Sequence, residues 1–276
     1  MSIHEFGDVG DAQGPRSRYL PALPRTRPRI LAHRGLALDG AENTLRAFHE
    51  AVEVGADIIE TDVRASADGR AFTLHDATLE RVAGDPRAVA SLTAGDLRDV
   101  RIGGETPCTL EEALDAIGLP FNIDVKSADA IEPTARAIAR TGAVERVCVT
   151  SFDGSIAGRA ARAVARLTGA APTRSASWGT TAAFTAALAL GAPQPLLSRA
   201  LRRVGALQIP REHRGLPVVT ARSLEAAHRA GCEVHVWTID DPLTMRSLIA
   251  MGADGIVTNR SDVLARLLQR GESPDA

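Results

Sequence analysis

From residue 29 onward the chain alternates short apolar runs with amphipathic stretches, and this alternation limits the folds open to it. Strand-like runs fall at 30–32, 58–63, 71–74, 121–125, 147–151, 173–176, 206–209, 234–239 and 255–258. Helical patterns fall between or after them, at 43–54, 91–100, 110–117, 130–140, 156–167, 180–190, 223–230, 242–250 and 262–269. Strands separated by helices make βα units, whose strands pair in parallel. About eight such units in roughly 250 residues is the proportion of a single (β/α)8 TIM-type barrel. A doubly wound open sheet is the competing α/β arrangement, but no G-x-G-x-x-G follows the first run. The expected organisation is a disordered or loosely packed N-terminal tail at 1–28, one barrel domain at 29–270 and a C-terminal tail at 271–276. A short insertion after the third strand, 76–107, is expected to hold one helix.

Composition narrows the partners. A net charge of -2 gives no reason to expect nucleic acid or an anionic membrane surface. Residues 1–28 contain acids, Arg and Pro and no apolar stretch of the signal-peptide kind. The longest segment without charged side chains, 178–198, is broken by Gly179, Gly191, Pro193 and Pro195, so no integral membrane segment is expected and a cytoplasmic location follows by default. That segment reads as an Ala-rich barrel helix, or in a sharper reading as an apolar lid. Three cysteines without C-x-x-C spacing suggest neither zinc nor a disulfide framework, and Cys148 and Cys232 read as small core residues. Lys126 is the only lysine among 32 basic residues. Where Arg is otherwise universal, a surviving ammonium marks a place that asks for a compact point charge rather than a planar fork.

The chemistry gathers at the ends of the early runs. His33-Arg34-Gly35 ends the first, Glu60-Thr61-Asp62 lies near the end of the second, and His75-Asp76 follows the third, with Glu42-Asn43-Thr44 opening a helix. Barrel enzymes collect their catalytic groups where strands end. Glu60 and Asp62 are two apart on one strand and so face the same way, as do Asp124 and Lys126. Three inward carboxylates need a neutralising cation, and an all-oxygen set suits Mg²⁺ or Ca²⁺ rather than Zn²⁺. Two imidazoles at equivalent barrel positions could exchange protons, and Arg34 could hold an anion. Asn43 reads as the N-cap of its helix, Glu42 as a structural or metal-neighbouring residue at the helix start, and Asp76 as an N-cap or turn residue. Trp237, near the end of a late strand, could wall a substrate pocket or fill the barrel mouth. His4, His49, His213, His228 and His235 show no comparable partners and read as surface or structural residues.

These pieces match a known pattern. L-A-H-R-G (31–35), E-N-T (42–44), G-A-D-I-I-E-T-D-V (55–63), L-H-D-A-T-L (74–79), T-L-E-E-A-L (109–114), N-I-D-V-K (122–126), T-S-F-D (150–153), V-W-T-I-D (236–240) and G-A-D-G-I-V-T-N (252–259) occur in that order. With them the chain resembles the glycerophosphodiester phosphodiesterase family from about residue 29 to about 268. The resemblance implies a (β/α)8 barrel that hydrolyses small-molecule glycerophosphodiesters to glycerol 3-phosphate and an alcohol. It implies His33 and His75 as the acid and base, and Glu60, Asp62 and Asp124 as ligands of a divalent metal, Mg²⁺ or Ca²⁺. It implies Arg34 and Lys126 as phosphate-holding residues and Trp237 as an aromatic wall. Asp124 stands where the family often carries Glu, and Ala41 where it often carries Pro. The Asp124–Lys126 pair is also similar to related sphingomyelinase D and phospholipase D toxins, so a lysophospholipase D or sphingomyelinase D-like enzyme is the alternative. A non-catalytic phosphodiester-binding barrel ranks below both.

Overall fold

The computed structural model describes residues 19–20 and 27–271. Its thirteen strands are β1 (Arg29–His33), β2 (Ile58–Ala65), β3 (Ala71–Thr73), β4 (Thr78–Leu79), β5 (Asp85–Ala88), β6 (Phe121–Val125), β7 (Val147–Thr150), β8 (Thr173–Arg174), β9 (Ala206–Pro210), β10 (Glu212–His213), β11 (Leu216–Pro217), β12 (Glu233–Trp237) and β13 (Gly255–Thr258). The helices are α1 (Leu45–Glu53), α2 (Glu80–Ala83), α3 (Ala94–Arg98), α4 (Leu110–Ala116), α5 (Ile131–Arg140), α6 (Gly154–Thr168), α7 (Trp178–Ala189), α8 (Gln194–Leu201), α9 (Ala221–Arg229), α10 (Pro242–Met251) and α11 (Ser261–Gly271). Parallel pairing runs β8-β7-β6-β2-β1-β13-β12-β9. The two ends of that row meet through a bridge between Ser175 and Ala206, with Ala176 N donating to Ala206 O at 3.0 Å. The result is the eight-stranded (β/α)8 barrel that the alternation implied.

Period-2 alternation sorts side chains into two cores. Ile30, Ala32, Ile59, Val63, Phe121, Ile123, Val149, Ile209, Val234 and Ile256 point outward into the large cluster beneath the helices. Leu31, Ile58, Cys148 and Val257 point inward and form a small separate cluster. Tyr19, which falls in the expected tail, is fully buried with that inner cluster, and its hydroxyl donates to Asn122 Oδ1 at 3.3 Å. The rest of 1–26 apart from Leu20 lies outside the described residues, as does 272–276. Helices start cleanly where a side chain can accept from the first free amides: Thr44, Thr109, Asp153, Ser177, Thr220 and Asp241 cap α1, α4, α6, α7, α9 and α10. The cap of α1 is therefore Thr44, not Asn43, whose side chain is used elsewhere.

The third strand-like run is not a barrel strand. β3 pairs antiparallel with β2, joined by Ser66–Arg70 with Gly69 at φ 76°. Five residues cannot carry the crossover that a parallel partner requires, whereas the Asp68-Gly69 pair suits a hairpin turn. His75 is thus delivered by a hairpin, and not from a position equivalent to that of His33. The insertion beyond it is also more structured than one helix. It contains the β4–β5 hairpin, α2 and α3, and buries Phe72, Leu74, Leu79, Val89, Leu92, Leu97, Val100 and Ile102 as a core of its own. The uncharged 178–198 segment divides into α7 and the start of α8. No helix among the described residues is long and apolar enough to cross a membrane.

Candidate active site

The inward-facing ends of the strands open into a cavity of about 250 Å³. His33, Arg34, Glu60, Asp62, His75, Asp124, Lys126 and Trp237 all line it, so every site residue expected from the sequence is brought to one place. The backbone turns sharply to achieve this. Arg34 and Asn43, both at positive φ (59° and 56°), each touch Asp62: Arg34 Nε stands 3.0 Å from Asp62 Oδ2, and Asn43 Nδ2 donates to the same oxygen at 3.1 Å. Left-handed backbone at non-glycine residues is strained and is retained where surrounding contacts over-determine it. Gly35 between them has no alternative, since a Cβ there would stand 2.7 Å from the Ala47 backbone.

The charges are dense and incompletely matched. Lys126 Nζ bridges Asp62 Oδ1 at 2.7 Å and Asp124 Oδ2 at 2.5 Å. Burial pushes the Asp62 carboxyl up, but Lys126 and Arg34 outweigh it and hold the group below the usual range. Burial dominates at Asp124 and raises it despite Lys126. Glu60 is driven well up by burial and then by the nearby Asp62 and Asp124. Asp124 Oδ1 is buried without a hydrogen-bond partner. A cluster of hard oxygen donors with one orphaned carboxylate oxygen and one carboxyl pushed toward neutrality fits the chemistry of a divalent cation. Among the described residues, no three His, Cys, Asp or Glu side chains are already drawn together tightly enough to hold an ion, and the Lys126 ammonium lies between two of the three carboxylates.

Each histidine has its own orienting group. His33 Nδ1 lies 2.7 Å from Asn259 Oδ1. Asn259 Nδ2 donates to Asp240 Oδ2 at 2.8 Å, so its oxygen faces the ring, the proton belongs on Nδ1, and Nε2 carries the lone pair, 3.9 Å from Glu60 Oε2. Burial and Arg34 lower the pKa of His33, favouring this neutral form. His75 Nδ1 instead meets the Asp76 carboxylate at 2.7 Å. Asp76 in turn accepts from Arg81 Nε at 2.5 Å, and Arg81 clamps Glu42 through both terminal nitrogens at 2.6 and 3.0 Å. Glu42 also accepts from Arg34 Nη1 at 2.9 Å. It therefore serves the arginines rather than lying free as a metal neighbour, and Asp76 is more than a turn residue.

Sequence reasoning gave Asp76 and Asn43 other roles and missed Arg81, Asn259 and Asp240, which likewise act as partners, and Phe152 and Trp178, which line the cavity. The E-N-T, L-H-D-A-T-L, T-S-F-D, V-W-T-I-D and I-V-T-N pieces contained five of them. Two histidines set aside as unpartnered are paired. His235 Nε2 lies 3.0 Å from Glu233 Oε2 inside the barrel floor, and His228 Nε2 lies 2.7 Å from Asp254 Oδ2. His213 packs its ring on Trp178 at 5.1 Å.

A model described as the glycerophosphoryl diester phosphodiesterase family matches residues 33–263. A Mycobacterium tuberculosis protein named "Probable glycerophosphodiester phosphodiesterase 2" is 39% identical over 246 residues, covering 88% of this chain and 91% of its own. The glycerophosphodiester phosphodiesterase of Caldanaerobacter subterraneus is 28% identical over 258 residues, with coverages of 88% and 98%. Among solved structures, the glycerophosphodiester phosphodiesterase of Agrobacterium tumefaciens superposes with a TM-score of 0.69 at 23% identity, covering 86% of this chain and 99% of that one. A phosphodiesterase of Oleispira antarctica, solved with the product sn-glycerol-3-phosphate, gives 0.70 at 21% identity, covering 88% and 97%.

Proposed function

The chain belongs to the glycerophosphoryl diester phosphodiesterase family and is a phosphodiester hydrolase of that kind, and from this premise we propose that it cleaves glycerophosphodiesters to glycerol 3-phosphate and an alcohol by metal-dependent, two-histidine catalysis. The observation that carries the reading is the convergence of two differently oriented imidazoles, two cations and three carboxylates on one cavity. Arg34 and Lys126 would hold the phosphate oxygens and balance charge gathering on them. Glu60, Asp62 and Asp124 would hold a Mg²⁺ or Ca²⁺ ion, which when bound supplies Lewis-acid polarisation of the phosphate.

His33, neutral with its Nε2 lone pair toward the cavity, takes the proton from the attacking oxygen, that of water or of the substrate's own glycerol hydroxyl, the latter giving a cyclic phosphate that water then opens to glycerol 3-phosphate. The new O–P bond forms as the bond to the alcohol breaks. His75, its ring oriented by the Asp76 carboxylate 2.7 Å from Nδ1, gives its proton to the departing alcohol oxygen. Trp237 walls the substrate. Among the described residues the cavity lining contains no Leu, Ile or Met, which speaks against the lipid-acting alternative.

³¹P NMR of the protein with glycerophosphodiesters tests the reading. Glycerol 3-phosphate should appear, and EDTA should stop its formation. Absence of any new phosphate resonance would overturn the substrate class, and full turnover in EDTA would overturn the metal. Cell fractionation should recover the activity with the cytoplasmic fraction.

A further inference from the structure

Aromatic side chains are scarce in this protein: six Phe, two Trp and one Tyr in 276 residues. Both tryptophans nevertheless stand at the same end of one cavity, on either side of Phe152. Phe152 and Trp178 stack with centroids 6.4 Å apart and planes 28° apart, while Phe152 meets Trp237 edge-on at 5.7 Å and 75°. The three come from different βα units, at the end of β7, the start of α7 and the end of β12, so no local sequence pattern explains their meeting. Phe152 and Trp178 remain 52% and 37% exposed, a cost in apolar hydration that packing alone does not explain.

What such a wall binds follows from its chemistry. Among the described residues the apolar part of the cavity lining is Phe152, Trp178 and Trp237 together with Ala176, Pro210 and Val257, with no Leu, Ile or Met, although aliphatic residues are abundant in the chain. A slot for an acyl chain would be aliphatic and long, whereas this one measures about 250 Å³ and must also hold the phosphate. Aromatic faces attract cations, and quaternary ammonium groups are held by clusters of them. One cation already uses this surface: Lys126 Nζ stands 5.7 Å over the Phe152 ring. Lys126 is itself held by Asp62 and Asp124, so its charge is largely balanced and does not repel a second cation at the outer rings.

We propose that Phe152, Trp178 and Trp237 form a subsite for a quaternary ammonium group carried on the alcohol half of the diester. The proposal rests on the phosphodiesterase reading for its substrate but not for its binding chemistry. Diesters ending in a trimethylammonium group are then preferred over neutral ones of the same shape.

Two measurements test it separately from catalysis and with it. Because both tryptophans are in the subsite, intrinsic fluorescence reports on it directly. Titration with tetramethylammonium or choline should perturb the emission saturably, and neutral 3,3-dimethylbutanol should do so at least several-fold less well. Equal response to the cation and its neutral isostere would overturn the subsite whatever the enzyme hydrolyses. In turnover, kcat/KM for glycerophosphocholine should exceed that for the 3,3-dimethylbutyl analogue by about 3- to 30-fold. Trp178→Leu should erase that ratio and Trp178→Phe should restore part of it. A Trp178→Leu enzyme that keeps the ratio would refute the assignment. Absence of hydrolysis of every diester, with cation-selective quenching intact, would refute the phosphodiesterase reading and leave the subsite standing.

Discussion

The two ends of the barrel interior are built from the same strands, four residues apart, and they treat buried charge in opposite ways. At the floor, Arg29 of β1 lies against Glu233 of β12, with Nε and Nη2 donating to the two carboxylate oxygens at 3.0 and 3.1 Å, and His235 adds a contact at 3.0 Å. Burial alone would push the Glu233 carboxyl up, but His235 and Arg29 overcome it and hold the group down at about 2. Gln208, Asn122 and the Tyr19 hydroxyl complete the hydrogen bonding above it. At the mouth, His33 of β1 and Trp237 of β12 look onto three carboxylates, of which Glu60 and Asp124 are pushed up and Asp124 Oδ1 is unpartnered. A buried network whose members are all satisfied needs nothing more and acts as structure. A network left short of positive charge is arranged for something that is still to bind. The contrast supports the mouth as the proposed site of chemistry without appeal to any relative.

Several changes would break or sharpen that contrast, and the largest effect belongs to the mouth. His75→Ala should lower the hydrolytic rate by ~10²–10⁴-fold while leaving the melting temperature nearly unchanged, checked by steady-state kinetics beside calorimetry. Next comes acid stability at the floor. Glu233 is depressed in the folded state, so its contribution is present above the unfolded carboxyl range near 4.5 and is lost as pH falls through about 2. Denaturant titrations should show a loss on the order of 3 kcal/mol across that window, absent in Glu233→Gln. Arg81→Ala removes the clamp joining Asp76 to Glu42, and kcat should fall about 10- to 100-fold with little change in stability, since Arg81 is half exposed. The smallest change is Tyr19→Phe, which should cost about 1 kcal/mol of stability and leave headgroup preference intact.

Most of the barrel could be read from the chain because parallel strands buried on both faces leave recognisable apolar runs. The third run misled because periodicity shows that a segment is extended and not which way it pairs. The Asp68-Gly69 turn and the five-residue connection carried that information. In the site, the residues that face the cavity from strands were legible through their two-residue spacing, as with Glu60 and Asp62, or through rarity, as with Lys126. Their partners were not. Asn259 lies 226 positions from His33, and nothing local marks Asp240 or Arg81 as serving a histidine or an arginine on another loop. Trp178 was hidden by its setting, the first residue of an Ala-rich helix whose composition suggested packing. Asn43 and Thr44 are both good caps, and only the geometry shows that Asn43 is spent on Asp62 and Thr61.

The most direct test compares two conservative removals of a buried carboxylate, Glu60→Gln at the mouth and Glu233→Gln at the floor, each followed by unfolding in EDTA and by the rate of diester hydrolysis in added metal. Glu233→Gln should lose about 3–5 kcal/mol of stability because it leaves Arg29 buried without its counter-charge. Glu60→Gln should keep or gain stability and lose activity on the order of 10²-fold. A Glu60→Gln protein that unfolds as readily as Glu233→Gln, or that hydrolyses at the full rate, would contradict the division of the barrel into a structural floor and a catalytic mouth.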